Sequence, residues 1–333
     1  MPRIRFKRRC TRCATDLPPS IRRTLTVVAP YERNSLSLQD GARYGRRMAF
    51  IDVGGTRFGY DEAGEGPAIV FIHGALVDRG MWDHQFGELS ERYRVIRYDW
   101  RGYGESDDAT EPVCHHEDLL ALMDALGVEH AHLAGNSYGG AYAVEAALAA
   151  PERVASLSLW AAGMSGHVFP PEMGASVREA IADKITPETL KRYAAGLADV
   201  DADDVEVMAA AQLDYTFVGP KRRRDDVDSS ALARAESMCR RMFERTWSGP
   251  AKPQRFLEPP AKTRLGEVTV PTLVVNGVSD VPFIQEVSDL YTDGIKGAER
   301  VDMTDTGHFP PLERPQESTS ILRRFLESPL RGT

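Results

Sequence analysis

What the chain lacks narrows the field first. Its 333 residues include only four cysteines, Cys10, Cys13, Cys114 and Cys239. Their irregular spacing excludes a disulfide scaffold and fits a reducing compartment, so the cytoplasm is the expected location. Cys10 and Cys13 make one CxxC, half of a zinc site, and no second pair follows, so no bound metal is expected. No apolar run reaches the ~18 residues that a membrane-crossing helix needs. Positive charge is not in excess either. The formal net charge is −8, which argues against a nucleic-acid or membrane-surface binder and leaves a small molecule as the expected partner. No internal repeat is evident. What is present is 42% hydrophobic residues, enough for a large core in one domain plus an insertion, or in two domains.

The charge is unevenly spread. Residues 1–47 hold 12 Lys and Arg against 3 Asp and Glu, while the remainder holds 29 against 46. This head has little apolar periodicity and reads as a disordered basic extension, with Met48 the more natural beginning. Arg22-Arg23 is followed only by "LTVVA", too short for the apolar region of a twin-arginine export signal. An Arg-rich, acid-poor head also suits an organelle transit peptide.

From Ala49 the pattern is regular. "AFIDV" and "TRFGYDEAG" read as two strands joined by a turn at Gly54-Gly55. "AIVFIHG", "RVIRYDWRG", "AHLAG", "VASLSLWAA" and "PTLVVNG" are short apolar runs of the kind buried on both faces of a sheet. Between them lie helical stretches, "MWDHQFGELSERY", "HHEDLLALMDALG" and "YGGAYAVEAALAA", and after them "PFIQEVSDLYTDG" and "PQESTSILRRFLES". Alternating strands and helices imply an α/β fold with a mostly parallel sheet flanked by helices. Alternation stops from about 164 to 266, where only helical patterns appear. The division is therefore a core of 48–163 and 267–330 and a helical insertion, expected over one edge of the sheet.

Ser137 lies in "GNSYGG", between a buried strand and an alanine-rich helix. In G-x-S-x-G the serine occupies a tight turn that lifts its hydroxyl above the sheet, and side chains at Gly135 or Gly139 would collide where strand and helix approach. The helix N-terminus faces the serine, and the backbone N–H of Tyr138 is free to hold a developing oxyanion. A second donor is expected from the loop after "AIVFIHG", at the N–H of Ala75. A serine hydroxyl needs a base, and the base an orienting acid. His308, in the loop "TDTGHFPPLERP" after a strand, is the best-placed of eight histidines. His73 suits loop shaping, His115 and His116 begin a helix, His130 and His132 flank a strand, and His84 and His167 have no supporting context. Asp280, just past "LVVNG", is the first candidate for the acid, with Asp302 and Asp305 as rivals. No acid directly follows "LSLW", which removes another common position.

With "HGALVDRGMWD", "DWRGYGES", "GNSYGG" and "GVSD" with "GHFPPLERP" in this order, the chain resembles the α/β-hydrolase superfamily from about Met48 to Glu327, with the helical block where that family carries its cap. The resemblance implies Ser137 as nucleophile, His308 as base, Asp280 as acid, oxyanion donation by Ala75 and Tyr138, and no cofactor. It implies scaffold roles for Asp99 and Arg101. A serine at the elbow argues against haloalkane dehalogenases and epoxide hydrolases, which use aspartate there. The expected activity is hydrolysis of a carboxylic ester or lactone of a small, partly apolar substrate. Carbon–carbon bond hydrolases of ring-cleavage products are the alternative, although they usually carry tryptophan where this chain has Phe309. An acyltransferase, a cofactor-free peroxidase or a slow-turnover ligand receptor would use the same triad. Trp100, Phe169, Tyr215, Phe243, Trp247 and Phe309 are candidate pocket residues, and "KRRRDD" at 221–226 reads as a solvated loop. The head should add little to the core. A chain starting at Met48 should melt within a few degrees of the full chain, the effect of a change under about 1 kcal/mol. A larger drop, measured by differential scanning calorimetry, would show that the head docks.

Overall fold

Two adjacent glycines start the sheet. Gly54 and Gly55 both have positive φ, 60° and 82°, as a two-residue hairpin turn with the twist of its flanking strands requires. They join β1 (Arg47–Val53) to β2 (Thr56–Ala63), paired antiparallel with Val53 opposite Thr56. The computed structural model describes residues 47–250 and 252–328. The basic head at 1–46, its CxxC and its expected disorder lie outside the described residues.

The strands β3 (Ala68–Ile72), β4 (Arg94–Tyr98), β5 (Ala131–Asn136), β6 (Val154–Trp160), β7 (Thr272–Gly277) and β8 (Glu299–Met303) complete a sheet of order β1-β2-β4-β3-β5-β6-β7-β8. From β4 to β8 every pairing is parallel. All five residues of β3 are buried, because both faces are covered. Ile69 and Phe71 enter one core cluster, Val70 and Ile72 the other, which is the period-2 alternation of a strand. The chain moves one way from β3 to β4 and the other way from β5 onward, so order reverses between β3 and β5. Ligand sites of open α/β sheets form beyond the carboxyl ends of strands at such a reversal.

In chain order the helices of the core are α1 (Asp83–Leu89), α2 (His115–Ala125) and α3 (Tyr138–Ala149). Helix α1 is shorter than its sequence pattern suggests. The chain enters it through a 3₁₀ turn at Arg79–Trp82 capped by the Asp78 carboxylate, and Ser90 closes it by donating its hydroxyl to Gly87 O. Between β6 and β7 come α4 (Ala175–Ile181), α5 (Pro187–Ala194), α6 (Ala202–Leu213) and α7 (Ser229–Trp247). Helices α8 (Pro282–Gly294), α9 (Pro310–Glu313) and α10 (Pro315–Glu327) follow. The insertion does not sit over one edge of the sheet. Its α7 pairs Arg241 with Asp78 at 2.7 Å and Arg245 with Asp108 at 2.8 Å, on loops after β3 and β4. Its segment 214–222 docks on loops after β7 and β8, where Arg222 donates to Asp305 O at 2.6 Å. With β5 and β6 in between, it spans the carboxyl ends of the strands.

Beneath that span lies a buried charge network. Arg79 contacts Asp61 at 3.1 Å, Glu105 at 2.8 Å and Asp99, and Arg97 contacts Asp61 at 2.9 Å and Asp83 at 2.5 Å. Asp99 also accepts from the backbone N–H groups of Arg79 and Glu105, and Arg101 pairs with Asp118 at 2.7 Å. These charges fix the loops after β3 and β4. Removing one partner strands the others in low dielectric, so Arg79→Ala should cost about 3–5 kcal/mol by urea unfolding. A loss under about 1 kcal/mol would show that the network is solvated. His115 packs against Trp100 and Tyr142 at ring distances of 5.3 and 4.6 Å. Burial, helped by His73, Arg101 and His116, lowers its pKa from 6.5 to about 3. Below pH 6.5 the unfolded chain therefore takes up a proton that the folded chain refuses. Stability from this group is complete above pH 6.5 and is lost as pH falls toward 3. A His115→Phe variant should lose less stability than the parent across that window in urea titrations, and parallel curves would refute the assignment.

Candidate active site

The site begins with a close approach. A Cβ at Gly135 would lie 2.3 Å from Gly139 O, one at Gly139 2.4 Å from Ile72 O, and one at Gly140 2.5 Å from the Ala162 Cβ. Only glycines let α3 pack this tightly on β3, β5 and the end of β6. The turn between β5 and α3 places Ser137 at φ 54°, ψ −125°, a conformation that non-glycine residues adopt at a cost of order 1–3 kcal/mol. Three N–H groups, of Gly140, Ala141 and Gly163, converge on Ser137 O, and Ser137 N donates to Trp160 O. The strained residue is thus held by hydrogen bonds on both sides.

Tyr138 opens α3, so its N–H has no carbonyl one turn earlier to bond. The other expected donor, Ala75 N–H, is set by His73. Trp100 N–H donates to His73 Nε2 at 3.2 Å, which leaves Nδ1 to carry the proton and donate to Gly74 O at 2.8 Å. Burial lowers the His73 pKa, so the ring stays neutral and keeps this tautomer. The Gly74 carbonyl and the Ala75 N–H belong to one trans peptide and point opposite ways. Turning the carbonyl toward His73 therefore turns the N–H away from it. Gly74 itself abuts the serine turn: a Cβ there would sit 3.3 Å from the Ser137 Cβ.

Asp280 and His308 meet. His308 Nδ1 lies 2.7 Å from Asp280 Oδ2, with both side chains buried. Asp280 Oδ1 accepts from Val281 N at 2.7 Å. Donation from Nδ1 leaves Nε2 as the free acceptor of the imidazole. The rivals are engaged elsewhere: Asp302 bonds Asn276 and Arg300, and Asp305 sits in a turn at φ 50°. Asn136, next to Ser137, donates to Trp160 O at 2.9 Å and to His308 O at 2.8 Å. One amide therefore ties the end of β5 to the histidine loop, which returns from the far edge of the sheet.

The candidate pocket residues differ in their surroundings. Trp100 is buried among His73, Tyr103, His115 and Tyr142. Phe243 and Trp247 pack with Tyr193 inside the insertion, and Phe309 lies between Phe217 and the edge of His308. These four fill cores because large aromatics gain most from full burial. Phe169 and Tyr215 stay half-buried near Val281 and Ile284. A cavity of about 400 Å³ lies between α7 and the loops after β3 and β4, lined by Asp78, Arg79, Glu105, Arg241 and Arg245 as well as Val77, Tyr103, Met238 and Met242, and by neither Ser137 nor His308. Within "KRRRDD", Arg222 is not solvated but buried against Glu313. Sequence reasoning also missed His116, whose Nδ1 lies 2.9 Å from Glu145. The lone glutamate in "AVEAALAA" was the available signal. Cys114, His116 and Glu117 bring ligand atoms within 4.8 Å of one another. The group sits at the start of α2, where burial pushes the Cys114 thiol up to about 11 and His116 is bonded to Glu145.

No helix among the described residues is long and apolar enough to cross a membrane. In comparisons with known proteins, the chain is 26% identical over 265 residues to 3-oxoadipate enol-lactonase 1 of Acinetobacter baylyi, covering 79% of this chain and 89% of that protein. It is 29% identical over 294 residues to the 2-hydroxy-6-oxononadienedioate/2-hydroxy-6-oxononatrienedioate hydrolase of Klebsiella pneumoniae, covering 84% and 95%. Among solved structures, Est816, described as an N-acyl homoserine lactone degrading enzyme, superposes with a TM-score of 0.61 at 28% identity, over 83% of this chain and 99% of that one. The family model of the alpha/beta hydrolase fold matches residues 67–315, and with the sheet order and the strained serine turn already described, the chain belongs to the α/β-hydrolase family.

Proposed function

We propose that this hydrolase cleaves a carboxylic ester or lactone of a small, partly apolar substrate, with Ser137 as nucleophile, His308 as general base and Asp280 as orienting acid. The observation that carries the reading is the buried 2.7 Å contact between His308 Nδ1 and Asp280, on a loop whose His308 carbonyl accepts from Asn136, the residue beside Ser137. Ser137 Oγ attacks the carbonyl carbon while its proton passes to His308 Nε2. The carbonyl electron pair moves onto oxygen, where the N–H groups of Ala75 and Tyr138 hold the oxyanion. Collapse expels the alkoxide, which leaves as an alcohol with the proton from His308. A water deprotonated by His308 then attacks the acyl-enzyme, and the acid departs as Ser137 regains its proton. Asp280 keeps the imidazole in the Nδ1–H tautomer and stabilises the imidazolium.

Residues 164–266 serve as the cap over this site in the same reading. The relatives named for lactones support the ester or lactone class. The relative named for a 6-oxo dienedioate favours a second reading, since such a compound has no ester and its hydrolysis breaks a carbon–carbon bond. That chemistry also requires protonation of carbon and further polar groups at the substrate. Two of the cap charges that could supply them are turned elsewhere: Arg178 donates to Met173 O and Pro171 O, and Arg192 to Leu197 O. Cys114 and Cys239 are free, which supports a reducing, cytoplasmic setting. The test assays short p-nitrophenyl esters, an enol-lactone and a vinylogous 1,5-diketone side by side. Ester or lactone turnover should lead, and Ser137→Ala, His308→Gln and Asp280→Asn should each lower it by about 10⁴- to 10⁶-fold without additivity. Diketone turnover faster by tenfold or more would favour the second reading instead, and wild-type activity in Asp280→Asn would remove that residue from the triad.

A further inference from the structure

The histidine loop is gripped from outside the triad. Glu313, in α9, accepts from Gly307 N with both carboxylate oxygens at 3.0 Å and from Phe309 N at 3.2 Å. These are the two amides that flank His308. Arg222, from the insertion, bonds the same carboxylate at 2.9 Å. Its other donors go to Val218 O at 2.8 Å, Asp305 O at 2.6 Å and Phe217 O. Both side chains are buried, 7% and 4% exposed. Just before Arg222 the insertion makes a single π-turn at Asp214–Val218, where Thr216 O accepts the N–H of His308 at 3.2 Å. A Cβ at Gly307 would strike Phe217 O at 2.5 Å, and one at Gly219 would strike Ser279 O at 2.0 Å, beside Asp280. The insertion therefore touches the loops of both the base and the acid.

Each backbone N–H from Gly307 to Phe309, and the His308 carbonyl, has a partner. Gly307 N and Phe309 N go to Glu313, His308 N goes to Thr216 O, and His308 O accepts from Asn136. An isolated buried carboxylate would be costly. Arg222 neutralises Glu313 and at the same time ties it to three carbonyls with the planar fork that lysine lacks.

We propose that Arg222 and Glu313 are positioning residues: their buried ion pair, formed between the helical insertion and the histidine loop, sets the placement of the His308 imidazole, so that docking of the insertion assembles the base with its acid. This rests on the ester-hydrolase reading for its kinetic consequence but not for its structural one. A rigid loop matters because a misplacement of ~1 Å in reacting groups costs about 100-fold in rate.

The experiment compares wild type, Arg222→Ala, Arg222→Lys, Glu313→Gln and the double variant Arg222→Ala/Glu313→Gln. Thermal melts identify the folded variants. Their kcat and KM are measured on one p-nitrophenyl ester, and the downfield proton NMR signal of the His308 Nδ1–H is followed, identified by its loss in Asp280→Asn. In folded variants kcat should fall about tenfold to 100-fold, KM should stay within about twofold, and the downfield signal should broaden or vanish. Arg222→Lys should fall between wild type and Arg222→Ala. The double variant should be no slower than the worse single one, as expected of residues acting as one unit. Wild-type kcat with an intact downfield signal would overturn the proposal, as would additive losses or a loss carried by KM alone. If Arg222→Ala does not fold, Arg222→Lys and Glu313→Gln decide by the same readouts. If wild type hydrolyses no ester, the functional reading fails while the NMR signal still decides the clamp, its persistence in the folded variants overturning it.

Discussion

The site depends on one steric constraint, the distance at which α3 crosses β3 and β5. With glycine at 135, 139 and 140 the helix lies so close to the strands that a single Cβ at any of these positions would sit within 2.5 Å of another atom. That closeness allows a strand to turn into a helix across one residue, and the residue in the turn is Ser137 at positive φ. The same closeness aims the first N–H of α3 at the serine and brings Gly74 against its side chain. In the proposed mechanism the nucleophile and the Tyr138 donor are thus consequences of one packing distance.

The remaining parts come from much farther along the chain and need polar ties to hold them. The loop bearing His308 leaves β8 at the sheet edge, yet it is bonded to Asn136 on β5, to Thr216 in the insertion and to Glu313 in α9. Buried ion pairs recur wherever a loop at the carboxyl end of the sheet must keep one conformation: Arg79 with Asp61 and Asp99, Arg101 with Asp118, Arg222 with Glu313. Replacing one member of such a pair leaves a buried charge without its partner, so the pairs favour a single loop arrangement over alternatives. The strained serine turn is tolerated because its surroundings are over-determined.

Much of this was legible in the sequence because the signals are local. Apolar runs bounded by glycine marked the strands, Gly54-Gly55 marked the hairpin, and the spacing of small residues around Ser137 marked the elbow. Asp280 and His308 were legible for a different reason: each lies in the loop that follows a strand, and strand ends are where a parallel sheet gathers its chemistry. What was not legible depends on partners distant in sequence. Arg222 looked like one of several exposed charges in "KRRRDD", and only Glu313, 91 residues away, makes it a buried one. Aromatic type alone does not separate pocket from core, and Trp100, Phe243, Trp247 and Phe309 all belong to the buried clusters. Asn136 stood in plain view inside "GNSYGG", but its two carbonyl partners belong to β6 and to the histidine loop.

The central claim is covalent catalysis at Ser137. Its most direct measurement is rapid acid quenching of the enzyme in the first turnover of a good ester, followed by peptide mass mapping. Covalent catalysis gives a transient mass increase equal to the acyl group, confined to the peptide carrying Ser137 and absent from Ser137→Ala. Turnover with no acyl adduct at any quench time, or an adduct on another residue, would contradict it.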